Sequence, residues 1–133
     1  MKKILSLFAV VAALFFASCS NNDEPEKPAN SLEGTVWANS FSTSDDILVI
    51  EFTSSTDVIG YLADINGDPI YNPNSGSYKF DGKNVTFTDF TVLYFTFQNH
   101  FTSAEISGNF MTTKSWWEMG GEKYESTTTF RKR

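Results

Sequence analysis

Residues 47–67 read ILVIEFTSSTDVIGYLADING, and the alternation within this stretch decides the fold class. From Ile47 to Thr53, Leu48, Ile50 and Phe52 alternate with Val49, Glu51 and Thr53. Successive side chains of a strand point to opposite faces, so this segment has one apolar face and one mixed face. Ser54-Ser55 predicts a turn, and Asp57–Ile65 predicts the next strand. Asn66-Gly67 ends it; both residues tolerate positive φ, which a tight hairpin needs.

Working outward, the same period-two pattern recurs, and no helical periodicity is found after residue 20. A strand is predicted near Thr35–Ser42, with Trp37, Asn39 and Phe41 on one face. Beyond a loose Asp68–Gly76 segment come Ser77–Phe80, turned by Asp81-Gly82, then Asn84–Thr88 and Thr91–Phe97. Ser103–Thr112 follows, with Ala104, Ile106 and Phe110 facing together, and Lys123–Arg131 ends the series with Tyr124 and Phe130 inward. Lys114–Glu122 reads as a loop carrying Trp116-Trp117. These short strands, eight in all, suit a sandwich or an up-and-down barrel. The expected fold is all-β: an antiparallel up-and-down barrel, which leaves no exposed edge and is wide enough to be filled or to hold one small ligand.

Three segments precede or make up the domain. Lys2 and Lys3 supply a positive start, and Ile4–Phe16 is an uncharged, mostly apolar run too short for a bilayer span, which needs about 20 residues. Residues 1–18 therefore read as an export signal. Residues 19–31, from Cys19 through prolines, amides and charges, contain no large apolar residue and read as a disordered linker. Residues 32–133 form the barrel domain.

Phe16-Ala17-Ser18-Cys19 resembles the lipobox of bacterial lipoproteins, with Phe16 where Leu is usual. The resemblance implies a cut before Cys19, diacylglycerol on its thiol and acyl chains of the palmitate type. Cys19 is the sole cysteine, so it cannot form an internal disulfide, and a free thiol is a liability in an oxidising compartment. Two or three acyl chains suffice for stable anchoring at about 0.8 kcal/mol per buried CH₂. The expected location is the cell envelope, lipid-anchored at the outer membrane on its periplasmic or surface face. Asp23-Glu24 resembles the acidic export signals of some surface lipoproteins and reads equally as a solvated spacer.

Composition excludes some partners. Without Lys2 and Lys3, 8 basic residues face 16 acidic ones, so the mature chain carries −8. That argues against nucleic acid and against lying flat on anionic lipid. Ten Phe, five Tyr and three Trp fall within residues 32–133. At roughly 1.5–3 kcal/mol for each one buried, they supply a core without disulfides.

Leu32-Glu33-Gly34-Thr35-Val36-Trp37 opens the domain; Asn84-Val85-Thr86-Phe87, Ile106-Ser107-Gly108-Asn109-Phe110-Met111 and Thr129-Phe130-Arg131-Lys132 follow at barrel-strand spacing. Together they resemble the bacterial lipocalin-like domain lipoproteins, small calycin-type barrels behind a lipobox. The resemblance implies a cup-shaped fold and no particular ligand. Lipocalins open with Gly-x-Trp and pack a late arginine over that Trp. Here the spacing is Gly-x-x-Trp, and Arg131 alternates to the face opposite Phe130.

Chemistry-bearing patterns are sparse. His100 is the one histidine, placed in a turn, and no serine is singled out as its partner. Structural zinc needs about four ligands, which are not present; no metal, cofactor or catalytic residue is expected. Asp64-Ile65-Asn66-Gly67-Asp68 resembles the start of a calcium loop, but Ser75 stands where the closing glutamate belongs, and a hairpin turn explains the segment better. Trp116-Trp117 is the exception to this bland picture: adjacent strand residues face opposite ways, so one of the pair is left at a rim or exposed. The leading expectation is a non-enzymatic binding module for a small apolar or amphipathic ligand, lined by Trp37, Phe52, Tyr61, Phe87, Phe110 and Trp117. The alternative is a filled barrel that meets a protein or glycan through its outer face or the tryptophan loop. For the anchor, Cys19→Ser is expected to give soluble or unprocessed protein on membrane fractionation; unchanged membrane retention contradicts lipidation.

Overall fold

A computed structural model describes residues 31–40, 45–94 and 96–133. The expected export signal, Cys19 and the expected linker up to residue 30, and Phe41 and Ser42 of the first predicted strand, lie outside the described residues. The strands are β1 Val36–Ser40, β2 Ile47–Phe52, β3 Asp57–Ala63, β4 Asn74–Phe80, β5 Asn84–Tyr94, β6 Phe97–Ser107, β7 Phe110–Met119 and β8 Glu122–Lys132. They pair in sequence order, all antiparallel, and β1 returns to β8 to close the expected up-and-down barrel. The closing seam pairs Trp37 with Lys132 and Ala38 with Arg131, and the Asn39 side-chain amide extends it by donating to the Thr129 carbonyl at 2.6 Å.

Inward alternation fills one end of the barrel. Trp37, Ile50, Phe52, Val58, Met111 and Phe130 are buried there, and Tyr78 and Phe87 join them. Phe52 meets Tyr78 edge-on at 4.6 Å, and rings continue from Phe87 to Phe90 at 5.1 Å and to Phe101 at 5.4 Å. The chain arrives at this same end. Leu32 is buried as a plug, Gly34 donates to the Phe52 carbonyl, and the Trp37 indole N–H donates to the Thr35 hydroxyl at 2.9 Å. The Tyr78 hydroxyl donates to the Ser54 carbonyl at 2.7 Å, and burial, then Glu33 and Asp57, push its pKa up.

The strand count matches expectation through two compensating differences. Asn84–Thr88 and Thr91–Phe97 are not separate strands; the first and residues 91–94 of the second lie in β5, and Phe97 opens β6. The apparent turn between them is a bulge, with Asp89 at φ 50° and the pairing register shifting between Thr86 and Phe90. The inserted residues reset the alternation, so Val85, Phe87, Phe90 and Val92 are all buried. Ser103–Thr112 is not one strand; it is split by the Gly108-Asn109 turn into β6 and β7. A second shift, between Phe101 and Ser103, keeps Phe101 and Ala104 both inward. Nor is Lys114–Glu122 a loop. β7 runs through both tryptophans to Met119, and only Gly120-Gly121, at φ 63° and 83°, makes the turn into β8. Positive φ at both centres is the tight turn whose twist matches paired strands.

Two glycines let β5 cross close to its neighbours. A Cβ on Gly76 would lie 2.6 Å from Phe90 Cβ and 2.8 Å from its Cα; one on Gly60 would lie 2.5 Å from a Val92 methyl. Backbone cannot yield as a flexible side-chain tip does. Gly76→Ala is therefore expected to destabilise the barrel by about 1–3 kcal/mol in urea unfolding. Unchanged stability would show that β5 does not need this close approach.

Candidate functional site

The barrel is filled at one end and hollow at the other. β2 begins, and β3, β5 and β7 end, at the hollow end. A cavity of about 200 Å³ lies there. Tyr94 on β5, Phe97 and Phe101 on β6 and Trp117 on β7 form its aromatic wall, with Leu48 from β2. Alternation sends Ser115 and Trp117 inward from β7, while Ser126 and Thr128 come inward from β8 opposite Ser115 and Thr113. With Asn99 these three hydroxyls make the polar part of the lining.

The aromatic wall rises into a rim. Phe97 and Trp117 lie 4.8 Å apart, and Trp117 stacks on Tyr124 at 4.6 Å and 21°. Tyr124 is 36% exposed and donates its hydroxyl to Glu122 Oε2 at 3.1 Å. Burial, then the charge of Asp46, raise the pKa of Tyr94. The floor is Phe101, which packs on Phe90 and thereby on the filled end.

Polar groups of the lining are chemically available. Ser115 is 6% exposed, its side chain opens onto the cavity, and no hydrogen-bond partner engages its hydroxyl among the described residues. The same holds for the side chains of Ser126, Thr128 and Asn99. Thr113, one step deeper, instead donates to the Thr128 carbonyl at 3.1 Å. Ser126, Thr128 and Asn99 are half-buried, and no buried side-chain polar atom lacks a partner among the described residues, so these groups face the cavity where water reaches them.

Of the residues expected to line a cavity, Trp117 does so. Trp37, Phe52 and Phe87 face inward but belong to the filled core at the other end. Tyr61 and Phe110 do not face inward, and the expectation is corrected for both. Tyr61 pairs with Val49 on the outer wall, where its hydroxyl donates to Glu51 Oε2 at 2.7 Å; Gly60 and Leu62 take the inward positions beside it. Phe110 is 50% exposed because the turn at Gly108-Asn109 breaks the run of alternation from Ala104 and Ile106. Arg131 sits over its ring at 6.0 Å on the outside, so it does not pack on Trp37. Cys19 lies outside the described residues.

The missed lining residues have one cause. Phe97, Asn99 and Phe101 are inward only once β6 begins at Phe97, and Ser115 only once β7 continues through the tryptophans. Parity from Trp117 along β7 is the signal that finds Ser115.

Trp116 takes the outer face. His100, on β6 and not in a turn, stacks on it at 4.0 Å and 10°, and Lys123 Nζ lies 4.5 Å from the ring centre. Hollows of about 380 and 430 Å³ flank this indole. The acidic segment after β3 is a turn: Asp64 Oδ1 accepts from the backbone N–H groups of Asn66 at 2.9 Å and Asp68 at 3.0 Å. Asp81 does likewise for Asn84 and Lys83, and these bonds hold its carboxyl below the usual range.

Burial, then the bond to Glu51 and its charge, push Tyr61 up to about 12. Folding thus raises this pKa above 10, so the contribution to stability is full below pH 10 and is lost as pH rises through about 12. Tyr61→Phe is expected to remove this alkaline loss, read by urea midpoints together with near-UV phenolate absorbance; an identical profile in the variant would contradict the assignment. The chain matches no family model, no curated protein and no solved structure.

Proposed function

We propose that this protein is a non-catalytic, lipid-anchored binding module of the bacterial cell envelope, a lipocalin-like cup for one small amphipathic molecule. The observation that carries the reading is the pairing, within one cavity of about 200 Å³, of an aromatic wall with hydroxyls that have no partner among the described residues. An engineered cavity of about 150 Å³ takes one benzene ring, so this space suits one ring with a short substituent. Burial of its apolar surface contributes roughly 25 cal/mol per Å², and Ser115, Ser126 and Asn99 orient its polar atoms.

The plug geometry supports the anchored reading. Leu32 and Thr35 hold the start of the domain at the filled end, so a tether from Cys19 joins the barrel opposite its mouth. A lipid on Cys19 then leaves the cup turned away from the bilayer and open to solutes.

A second reading rests on Trp116. Its ring, flanked by His100 and Lys123, is an outer-wall platform for a protein or glycan, and it is independent of the cup. Titration of the Cys19→Ser chain with 2-phenylethanol, followed through the indole N–H resonances, separates the two. The expected result is a shift at Trp117, none at Trp37, and at least a tenfold loss of affinity in Trp117→Ala, about 1.4 kcal/mol. Binding that survives Trp117→Ala and fails in Trp116→Ala would overturn the cup in favour of the outer wall.

A further inference from the structure

We infer that the cavity takes a small organic cation, with one aromatic ring inside and its ammonium group at the rim. The inference rests on the cup reading above and adds the charge class of its ligand. Among the described lining residues there is no Asp, Glu, His, Lys or Arg, so the interior gives a charged group no counter-ion. An excess of negative charge lies around the mouth. Asp45, Asp46, Asp64, Asp68, Glu118 and Glu122 all lie at or beside the strand ends and connections of the hollow end. Lys123 is the one lysine or arginine among the described residues there, and its Nζ sits over Trp116 on the outer wall. The lysines and arginines Lys79, Lys83, Arg131, Lys132 and Arg133 lie toward the filled end.

Two of the mouth carboxylates are tied to the rings that frame the cavity. Glu122 accepts the Tyr124 hydroxyl, and Tyr124 stacks on Trp117. Asp46, just before β2, adds its charge to burial in raising the pKa of Tyr94. A cation at the rim therefore meets aromatic faces and carboxylates together, the pairing that favours ammonium groups. A fatty-acid carboxylate at the same place meets like charge. Inside, the hydroxyl of Ser115 opens onto the cavity with no side-chain hydrogen bond among the described residues, which suits a ring bearing a polar substituent. Rim fields and a low-dielectric interior also raise the local concentration of cations over anions.

Three probes of one size test this: 2-phenylethylammonium, 2-phenylethanol and 3-phenylpropionate, titrated into the Cys19→Ser chain at low salt with calorimetric or resonance-shift detection. The cation is expected to bind about tenfold tighter than the alcohol, and the carboxylate more weakly than the alcohol. Asp46→Asn and Glu122→Gln are each expected to shrink the ratio of cation to alcohol affinity severalfold, and added salt to shrink it further. Alcohol binding with no cation preference, or with the carboxylate tightest, overturns this inference and leaves the cup intact. Failure of all three probes overturns both.

Discussion

Phe90 lies where β5 bends at its bulge and comes up against Gly60 and Gly76, and this close approach divides the barrel interior in two. On one side Phe90 continues the packed rings through Phe87 to Phe52 and Tyr78. On the other it supports Phe101, the floor of the cavity. A larger residue at either glycine meets β5 directly, and a straight β5 would send Phe90 outward after Phe87. The packed core and the hollow above it are consequences of one local geometry. Wholly buried aromatics of this kind contribute on the order of 3–5 kcal/mol each when truncated, so the filled end is where stability resides and the hollow end is where it is free to be spent on binding.

Electrostatics and chain path follow the same axis. Leu32 closes the filled end, and Gly34 is bonded to the Phe52 carbonyl there. The mouth, at the far end, carries carboxylates and partly exposed apolar side chains, including Tyr124 at 36% and Met119 at 49% exposure. Exposed apolar groups next to a cavity mark a surface made to meet something, whereas isolated ones do not. The outer wall holds its own aromatic group at Trp116, kept separate from the cavity because neighbouring strand residues point opposite ways.

Much of the fold was legible in the amino-acid order, and the reasons for the misses are physical. In β2 and β3 the inward positions of Leu48, Ile50, Phe52, Val58 and Leu62 follow from their period-two spacing, although Val49 on the other face is buried too and β3 stops at Ala63, short of the expected Ile65. Thr88-Asp89 has the composition of a turn, and nothing local distinguishes a turn from a bulge; the neighbouring strand decides it. The Trp116-Trp117 segment lacks polar alternation because its outward ring is covered by His100 and Lys123, partners brought in from elsewhere in the sheet. Candidate lining residues chosen by size alone mixed three environments: packed core for Trp37, Phe52 and Phe87, outer wall for Tyr61 and Phe110, and cavity for Trp117. The serines and threonine of the polar wall carry no signal by residue type, since hydroxyl residues are equally at home on the outer face.

The central claim is that the hollow end, above the Phe90–Phe101 floor, receives one ring. Intermolecular nuclear Overhauser effects from a bound one-ring probe test it most directly. Contacts from the probe's ring protons to Phe101 and Trp117, with none to Trp37 or Phe52, are what this account predicts. Contacts confined to Trp116 and His100 on the outer wall would contradict it.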